Sequence, residues 1–361
     1  MNTTHQSILI LVDNPSFHCD KPYELMLSGK SMRDWVANAL GGSPKTVNAG
    51  YKDDFVARVK PLLDAQVPYT VVFYSDTPLL TRNTVSEALR AIERSGAQAL
   101  RLTRGWIFET AYLMSIETLP AIMRHYVTEE EDFMICAECS SLALVSEVMR
   151  QRIHRFHMQN GVHIVDPAAT YIDGDVLIGK GVTVHPGNHL RGKTFIADGV
   201  TLEVGNVITD CIVDEGAKLT SSNLTGSVIG ARTTVGPFAY VRPGCEIGTD
   251  CRIGDYVELK KVRIGNRSKV SHLTYLGDCS LGEGCNIGCG VITANYDGKN
   301  KFSTTIGNHV FVGSNATLIA PINVADGAFI AAGSTLTDDV DKDSLAIARA
   351  RQITKPERTL W

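Results

Sequence analysis

The 361-residue sequence has no apolar run approaching the roughly 18 residues that a spanning helix needs, which excludes a helical membrane protein. It has no excess of positive charge. Lys and Arg number 35 against 39 Asp and Glu, a net charge of −4. No global basic field therefore argues for nucleic acid or an anionic membrane as partner. The first residues lack a cationic leader and a cleavage site, so no secretory signal is expected. Cys-x-x-Cys occurs once, at Cys136 and Cys139, and no second pair completes a zinc site. The nine cysteines are odd in number and scattered, which reads as reduced thiols in a cytoplasmic protein. Glycine is abundant instead, with 32 residues, most of them from Gly161 onward.

The chain changes character near Gly161. Before it, Ser7–Val12 and Tyr69–Tyr74 are short continuous apolar runs of the kind that form buried parallel strands. Thr81–Ser95 follows with Val85, Leu89 and Ile92 on one helical face, and Gly96 fits the stop. This alternation predicts a small α/β domain. Ser140–Asn160 reads as a longer helix that joins the two halves, capped by Gly161.

After Gly161 the period is six. Ile178, Val184, Leu190, Ile196, Leu202 and Ile208 keep register, and so do Ile229, Val235, Val241, Ile247 and Ile253. Further series run through Ile264, Val270 and Leu276, then Leu281 and Ile287, then from Ile306 to Leu336. A hexad repeat predicts a parallel β-helix in which each hexad gives a strand and a turn, and three hexads close a coil. The aliphatic residue points inward and stacks on its counterparts. About nine coils are expected. Cys245, Cys251 and Cys285 fall at the small corner position and read as buried apolar fillers.

The rhythm breaks once, between Ile292 and Ile306, where Thr293–Thr305 is rich in Asn, Asp, Gly and Lys and must loop out. A loop on a rigid scaffold is where function concentrates. Just before it stands His272, and earlier come Arg242 and Lys260. One histidine, two cations and an amide-rich loop suit amine chemistry on a phosphorylated substrate. Arg and Lys would hold the phosphate, and His would remove a proton from the attacking amine.

The motifs are specific: Gly236-Pro-Phe-Ala-Tyr-Val-Arg-Pro-Gly244, Tyr256-Val-Glu-Leu-Lys-Lys261, His272-Leu-Thr-Tyr-Leu-Gly-Asp278, Asn295-Tyr-Asp-Gly298, Val310-Phe-Val-Gly-Ser314 and Ala346-Ile-Ala-Arg349. At these residues the sequence resembles the bacterial bifunctional enzymes that make UDP-N-acetylglucosamine. Those enzymes acetylate glucosamine-1-phosphate in a left-handed β-helix and uridylate the product in a nucleotidyltransferase domain. The resemblance implies that His272 is the base, that Arg242 and Lys260 grip the sugar phosphate, and that Tyr275 and Asn286 bind the sugar beside Glu258. It places Asn295, Tyr296 and Lys301 in a loop that reaches a neighbouring subunit's site. Asn295 and Lys301 are grouped with His272 as catalytic. Cys289, Ser314, Ala332 and Arg349 match acetyl-CoA positions, with Cys289 where alanine is usual. The basic tail, Arg349 with Arg351, Lys355 and Arg358, would meet the phosphates of CoA. The implied chemistry is direct acyl transfer from acetyl-CoA, with a backbone N–H at the loop or a coil corner as oxyanion donor. A cyclic homotrimer and no magnesium requirement for acetylation follow from the same resemblance.

The first half departs from this pattern. Tyr74-Ser-Asp76-Thr-Pro78 resembles the strand end that carries a magnesium aspartate. Yet the phosphate loop after the first strand reads Val12-Asp13-Asn14-Pro15-Ser16-Phe17-His18, without glycine. A backbone nest for a triphosphate needs glycines there. The expectation is a shortened, degenerate, Rossmann-like nucleotidyltransferase domain over residues 1–139, without uridyl transfer. A linker helix over 140–161, a left-handed β-helix over 162–341 and a tail over 342–361 complete the chain. The alternatives are acetylation of another amino-sugar 1-phosphate, or a non-catalytic trimeric paralogue.

Overall fold

The computed structural model describes residues 5–13, 15–17, 20–50, 54–127 and 130–355; Asn14, His18 and Arg358 lie outside the described residues. The chain forms two compact units, residues 1–152 and 153–361. Among the described residues no helix is long and apolar enough to cross a membrane.

The first unit is built on a six-stranded sheet. Strand His5–Asp13 pairs in parallel with Lys45–Gly50 on one side and Tyr69–Tyr74 on the other. Its successive side chains point to opposite faces, and both faces are covered. Leu9 packs with Val71, Phe73 and Ile92, while Ile8 and Ile10 pack with Phe55, Val72 and Phe108. Double burial is why the run is apolar without alternation. The sheet is mixed, however. Gly105–Glu109 runs antiparallel to both Tyr69–Tyr74 and Ala99–Leu102, a tight reversal that an alternating strand–helix reading does not anticipate. Helix Arg82–Ser95 starts where the Thr81 hydroxyl accepts the Thr84 N–H and ends at Gly96 with φ 59°. The long helix spans Cys139–Gln159, one residue earlier at each end than the pattern suggests.

The second unit is a parallel β-solenoid. One face carries eleven strands, from His163–Ile164 to Leu345–Ala346, and the other faces merge into a seventeen-stranded sheet. The hexad aliphatics stack in register. Val184 lies on Leu202, Leu202 on Leu219, Leu219 on Val235, and Val235 on Ile253. All five are at most 1% exposed. Each such side chain contributes about 1.5–3 kcal/mol by leaving water. Cys245, Cys251 and Cys285 are buried, as their corner positions predict.

The solenoid is longer than the expected nine coils for two reasons. Between Ile208 and Ile229 the repeat continues through Val213, Leu219 and Leu224 in shortened hexads, with Asp210 and Ser221 taking positive φ at the corners. At the end, Leu345–Ala346 adds a rung from residues read as tail. Gly236 shows why one corner demands glycine. Its φ is 100°, and a Cβ there would lie 2.1 Å from the Thr220 carbonyl oxygen.

Candidate active site

The polar residues singled out by sequence fall into two groups on the solenoid. The first is organised by strands Glu258–Ile264 and Tyr275–Leu281, which pair so that Glu258 faces Tyr275 and Lys260 faces Gly277. Arg242 follows strand Tyr240–Val241, one coil earlier, and its Nη1 donates to Glu258 at 3.0 Å. Glu258 therefore holds the guanidinium. Lys260 Nζ lies 3.5 Å from Asp278. The Asn295 side-chain amide donates to the same Asp278 carboxylate, and Asn295 is buried. Lys301 reaches Lys260, whose ammonium holds the Lys301 ammonium below the usual lysine range. Two cations are thus crowded together beside a third, Arg242, with Tyr275 on the same face.

The excursion after Ile292–Ala294 is a small hairpin. Tyr296 and Lys301 bridge antiparallel, and Phe302 N–H donates to the Asn295 carbonyl at 2.9 Å. At the tip, the Asp297 carboxylate accepts the N–H groups of Lys299 and Asn300 at 2.7 and 2.6 Å. Those two donors hold its carboxyl below the usual range. Tyr296 is exposed, and its hydroxyl donates to the Gly298 carbonyl at 2.7 Å. The loop predicted from broken periodicity exists but is shorter than Thr293–Thr305: strands Ile292–Ala294 and Thr304–Ile306 stay in the coil with Thr293 and Thr304 buried, and only 295–303 leaves it. That loop brings Asn295 and Lys301 to Lys260.

The second group lies on the eleven-stranded side. His272 ends strand Lys269–His272 and is half exposed. Its backbone carbonyl accepts from Gly290 N–H, that of Cys289 from Asn315, and that of Ser314 from Gly333. The paired strands Asn286–Ile287, Phe311–Val312 and Phe329–Ile330 continue this register. Cys289, Ser314 and Ala332 therefore follow His272 along the solenoid axis at one corner. Cys289 is half-buried, while Ser314 and Ala332 are exposed. Arg349 passes over Gly333, where a Cβ would meet its Cδ at 3.8 Å. Asn286 stands exposed in the neighbouring column between Lys269 and Phe311, apart from Tyr275. Among the described residues no hydrogen bond or ion pair joins His272 to the Lys260 group. The tight corner at Leu273, φ 48°, separates the two faces.

Three residues escaped the sequence reading. Asp255 contacts the His272 ring, Asp278 ties Asn295 to Lys260, and Gly277 underlies Tyr275 and Asn295. Asp255 occupies the same place in its hexad, two after Ile253, that His272 occupies after Val270; coil-to-coil alignment would have found it.

In the first unit Asp76 is buried, with both oxygens taken by Arg104, Nη2 at 2.7 Å and Nε at 3.2 Å. Burial nonetheless pushes its carboxyl up, against the opposing guanidinium. A carboxylate closed off in this way does not fit a magnesium ligand, and among the described residues no three potential ligands gather.

A family model described as bacterial transferase hexapeptide (six repeats) matches residues 226–261. At the level of particular proteins, the bifunctional protein GlmU of Clostridium acetobutylicum is 50% identical over 214 residues, 59% of this chain and 47% of that protein. The bifunctional protein GlmU of a Geobacillus species is 49% identical over 215 residues, 60% of this chain and 47% of that protein. The chain spans about half the length of the curated relatives it matches. A solved UDP-N-acetylglucosamine acyltransferase from Campylobacter jejuni is 17% identical, covering 52% of this chain and 71% of its own, with a TM-score of 0.33. The resemblance read from the motifs is borne out for the solenoid half.

Proposed function

We propose that the chain transfers the acetyl group of acetyl-CoA to the amine of an amino-sugar 1-phosphate, glucosamine-1-phosphate first among them, and that it does not transfer uridyl groups. The observation that carries this reading is the crowding of Lys260 and Lys301 beside Arg242, next to Tyr275 and Asn295. Glu258 and Asp278 offset only two of the three charges, the remaining like-charge repulsion costs stability, and a solenoid needs none of these side chains to fold. A phosphate dianion removes that cost, and the tyrosine and the amide offer a sugar a ring edge and hydrogen bonds.

The amine must be neutral to attack the thioester carbon. The amine therefore enters neutral; His272 takes one of its two protons as the C–N bond forms, the C–S bond breaks, and the imidazolium gives that proton to the departing thiolate. The small residues that follow His272 along the axis suit an extended thioester chain, and Arg349 suits its phosphates. The loss of uridyl transfer is supported by the Arg104 clamp on Asp76. A cyclic homotrimer belongs to the same reading. It is supported by the exposed ridge of Phe238, Tyr256 and Leu273, whose two rings stack at 5.4 Å. Cytoplasmic placement is supported by the unpaired state of the described cysteines.

The test is a thiol-release assay on the purified chain with a panel of amino-sugar 1-phosphates. CoA should be released with glucosamine-1-phosphate, and His272→Ala should lower kcat about 10²–10⁴-fold. Release with galactosamine-1-phosphate alone would change the sugar. No release with any sugar would leave the non-catalytic trimer as the reading, and release unaffected by His272→Ala would remove His272 as the base. UTP, magnesium and N-acetylglucosamine-1-phosphate should yield no pyrophosphate.

A further inference from the structure

The imidazole of His272 has a partner on the preceding coil. Strands Arg252–Asp255 and Lys269–His272 pair in register, with Asp255 directly opposite His272. The Leu273 N–H donates to the Asp255 carbonyl at 3.0 Å, which pins the two backbones together at the corner. The Asp255 carboxylate hydrogen-bonds to Nδ1 of the ring. Both side chains are partly exposed, at 50% for His272 and 36% for Asp255. The ring is thus oriented by one coil while it faces solvent and the corner that leads to Cys289.

We propose that Asp255 is a positioning residue for His272, fixing the ring's orientation and tautomer so that Nε2 presents its lone pair to the substrate amine. This rests on the acetyltransferase reading above. The chemical argument is short. A carboxylate only accepts, so Nδ1 must carry the proton in the neutral ring. Nε2 is then the basic nitrogen. During attack Nε2 takes one proton from the amine as the C–N bond forms. The resulting imidazolium stands against the Asp255 charge, and the proton passes on to the departing thiolate. Glu258, nearer in sequence to the phosphate group, is not available for this task because it holds Arg242. The Asp255 carboxyl lies below the usual range chiefly because of the His272 hydrogen bond, in keeping with a persistent pair.

Three variants test this: Asp255→Asn, Asp255→Glu and His272→Ala. Steady-state kinetics and ¹⁵N NMR of histidine-labelled full-length protein are the two measurements. Asp255→Asn keeps the shape but offers an amide that can donate to Nδ1, so the other tautomer becomes available. Its kcat should fall about 10²-fold, the lower end of what a general base contributes, with the KM for the sugar phosphate unchanged. The His272 ring signals should move from the Nδ1–H pattern toward a mixture. Asp255→Glu should recover part of kcat. A wild-type kcat in Asp255→Asn, or a ring that keeps its tautomer in that variant, overturns the proposal. So does a rise in KM with kcat intact. A wild type that releases no CoA on any sugar overturns the acetyltransferase reading instead. The NMR experiment needs no substrate, so it separates that failure from a failure of the pair.

Discussion

Replacing Gly277 with alanine places one methyl group under Tyr275 and Asn295, the two side chains that we propose hold the sugar. A Cβ at this position would lie 2.4 Å from the Tyr275 hydroxyl oxygen and 2.9 Å from the Asn295 amide nitrogen. Ordinary contact begins near 3.5 Å, so the tyrosine hydroxyl must move by about 1 Å and the amide by roughly half as much. Displacements of about 1 Å at a positioning group cost on the order of 10²-fold in rate. The fold itself should tolerate the change. Gly277 lies in strand Tyr275–Leu281 and has no left-handed φ. Alanine there lowers unfolded-state freedom by about 0.5–1 kcal/mol. A tyrosine pushed off its rotamer costs about 0.5–1.5 kcal/mol. The two nearly cancel, so the melting temperature should stay near that of the wild type while kcat/KM for the sugar phosphate falls about 10²-fold. The thiol-release assay and a thermal melt read the two quantities separately. The double variant with Tyr275→Ala should lose little beyond Tyr275→Ala alone, because the main clash is then gone. An unchanged kcat/KM in a folded Gly277→Ala protein, or full additivity in the double variant, would refute the geometry.

Other expectations concern stability and thiol chemistry. Leu259 is fully buried between Val241 and Leu276 of adjacent coils. Leu259→Ala should therefore destabilise the protein by about 2–5 kcal/mol in urea titration, and a loss below about 0.5 kcal/mol would contradict the stacked core. Arg104→Ala should cost about 3–5 kcal/mol by stranding the buried Asp76 charge. Burial raises the folded-state pKa of Asp76, so the carboxyl's contribution is fully present below its unfolded value and is lost as pH rises through the folded one. The Arg104→Ala deficit should accordingly shrink in acid, and a deficit flat with pH would count against the pairing. With a disulfide reagent at pH 8, Cys139 should react first among the described cysteines and Cys289 more slowly. Cys279, its thiol pushed up to about 12 by burial, should react only after denaturation. Acetyl-CoA should protect Cys289, and equal labelling with and without it would remove that residue from the cofactor path.

Much of this architecture is written in the sequence because a solenoid is local. Each hexad meets only the hexads of neighbouring coils, so a six-residue period of aliphatic residues specifies strands, turns and core together. The break in the period announced its loop for the same reason, since Asp297, Lys299 and Lys301 cannot fill the interior; its ends were set too wide, because Thr293 and Thr304 stay buried in the coil. His272, Arg242 and Lys260 were legible as side chains that a packed coil does not require. The pairings were not. Which carboxylate meets which cation depends on coil-to-coil register, and the shortened hexads between Ile208 and Ile229 hid part of it. Asp255 opposite His272, Asp278 between Lys260 and Asn295, and Lys301 folded back onto Lys260 are contacts between residues at least 17 positions apart. The first unit shows the same limit more strongly. Two of its six strands, those at Ser7–Val12 and Tyr69–Tyr74, were evident from apolar runs, but the antiparallel strand Gly105–Glu109 and the Arg104 clamp on Asp76 arise from long-range pairing, which a period along the chain does not encode. Composition and periodicity determined the coil, its core and its one protruding loop; only the stacking of coils and the closing of the mixed sheet decided which charges stand together, because electrostatic partners are chosen by distance in space.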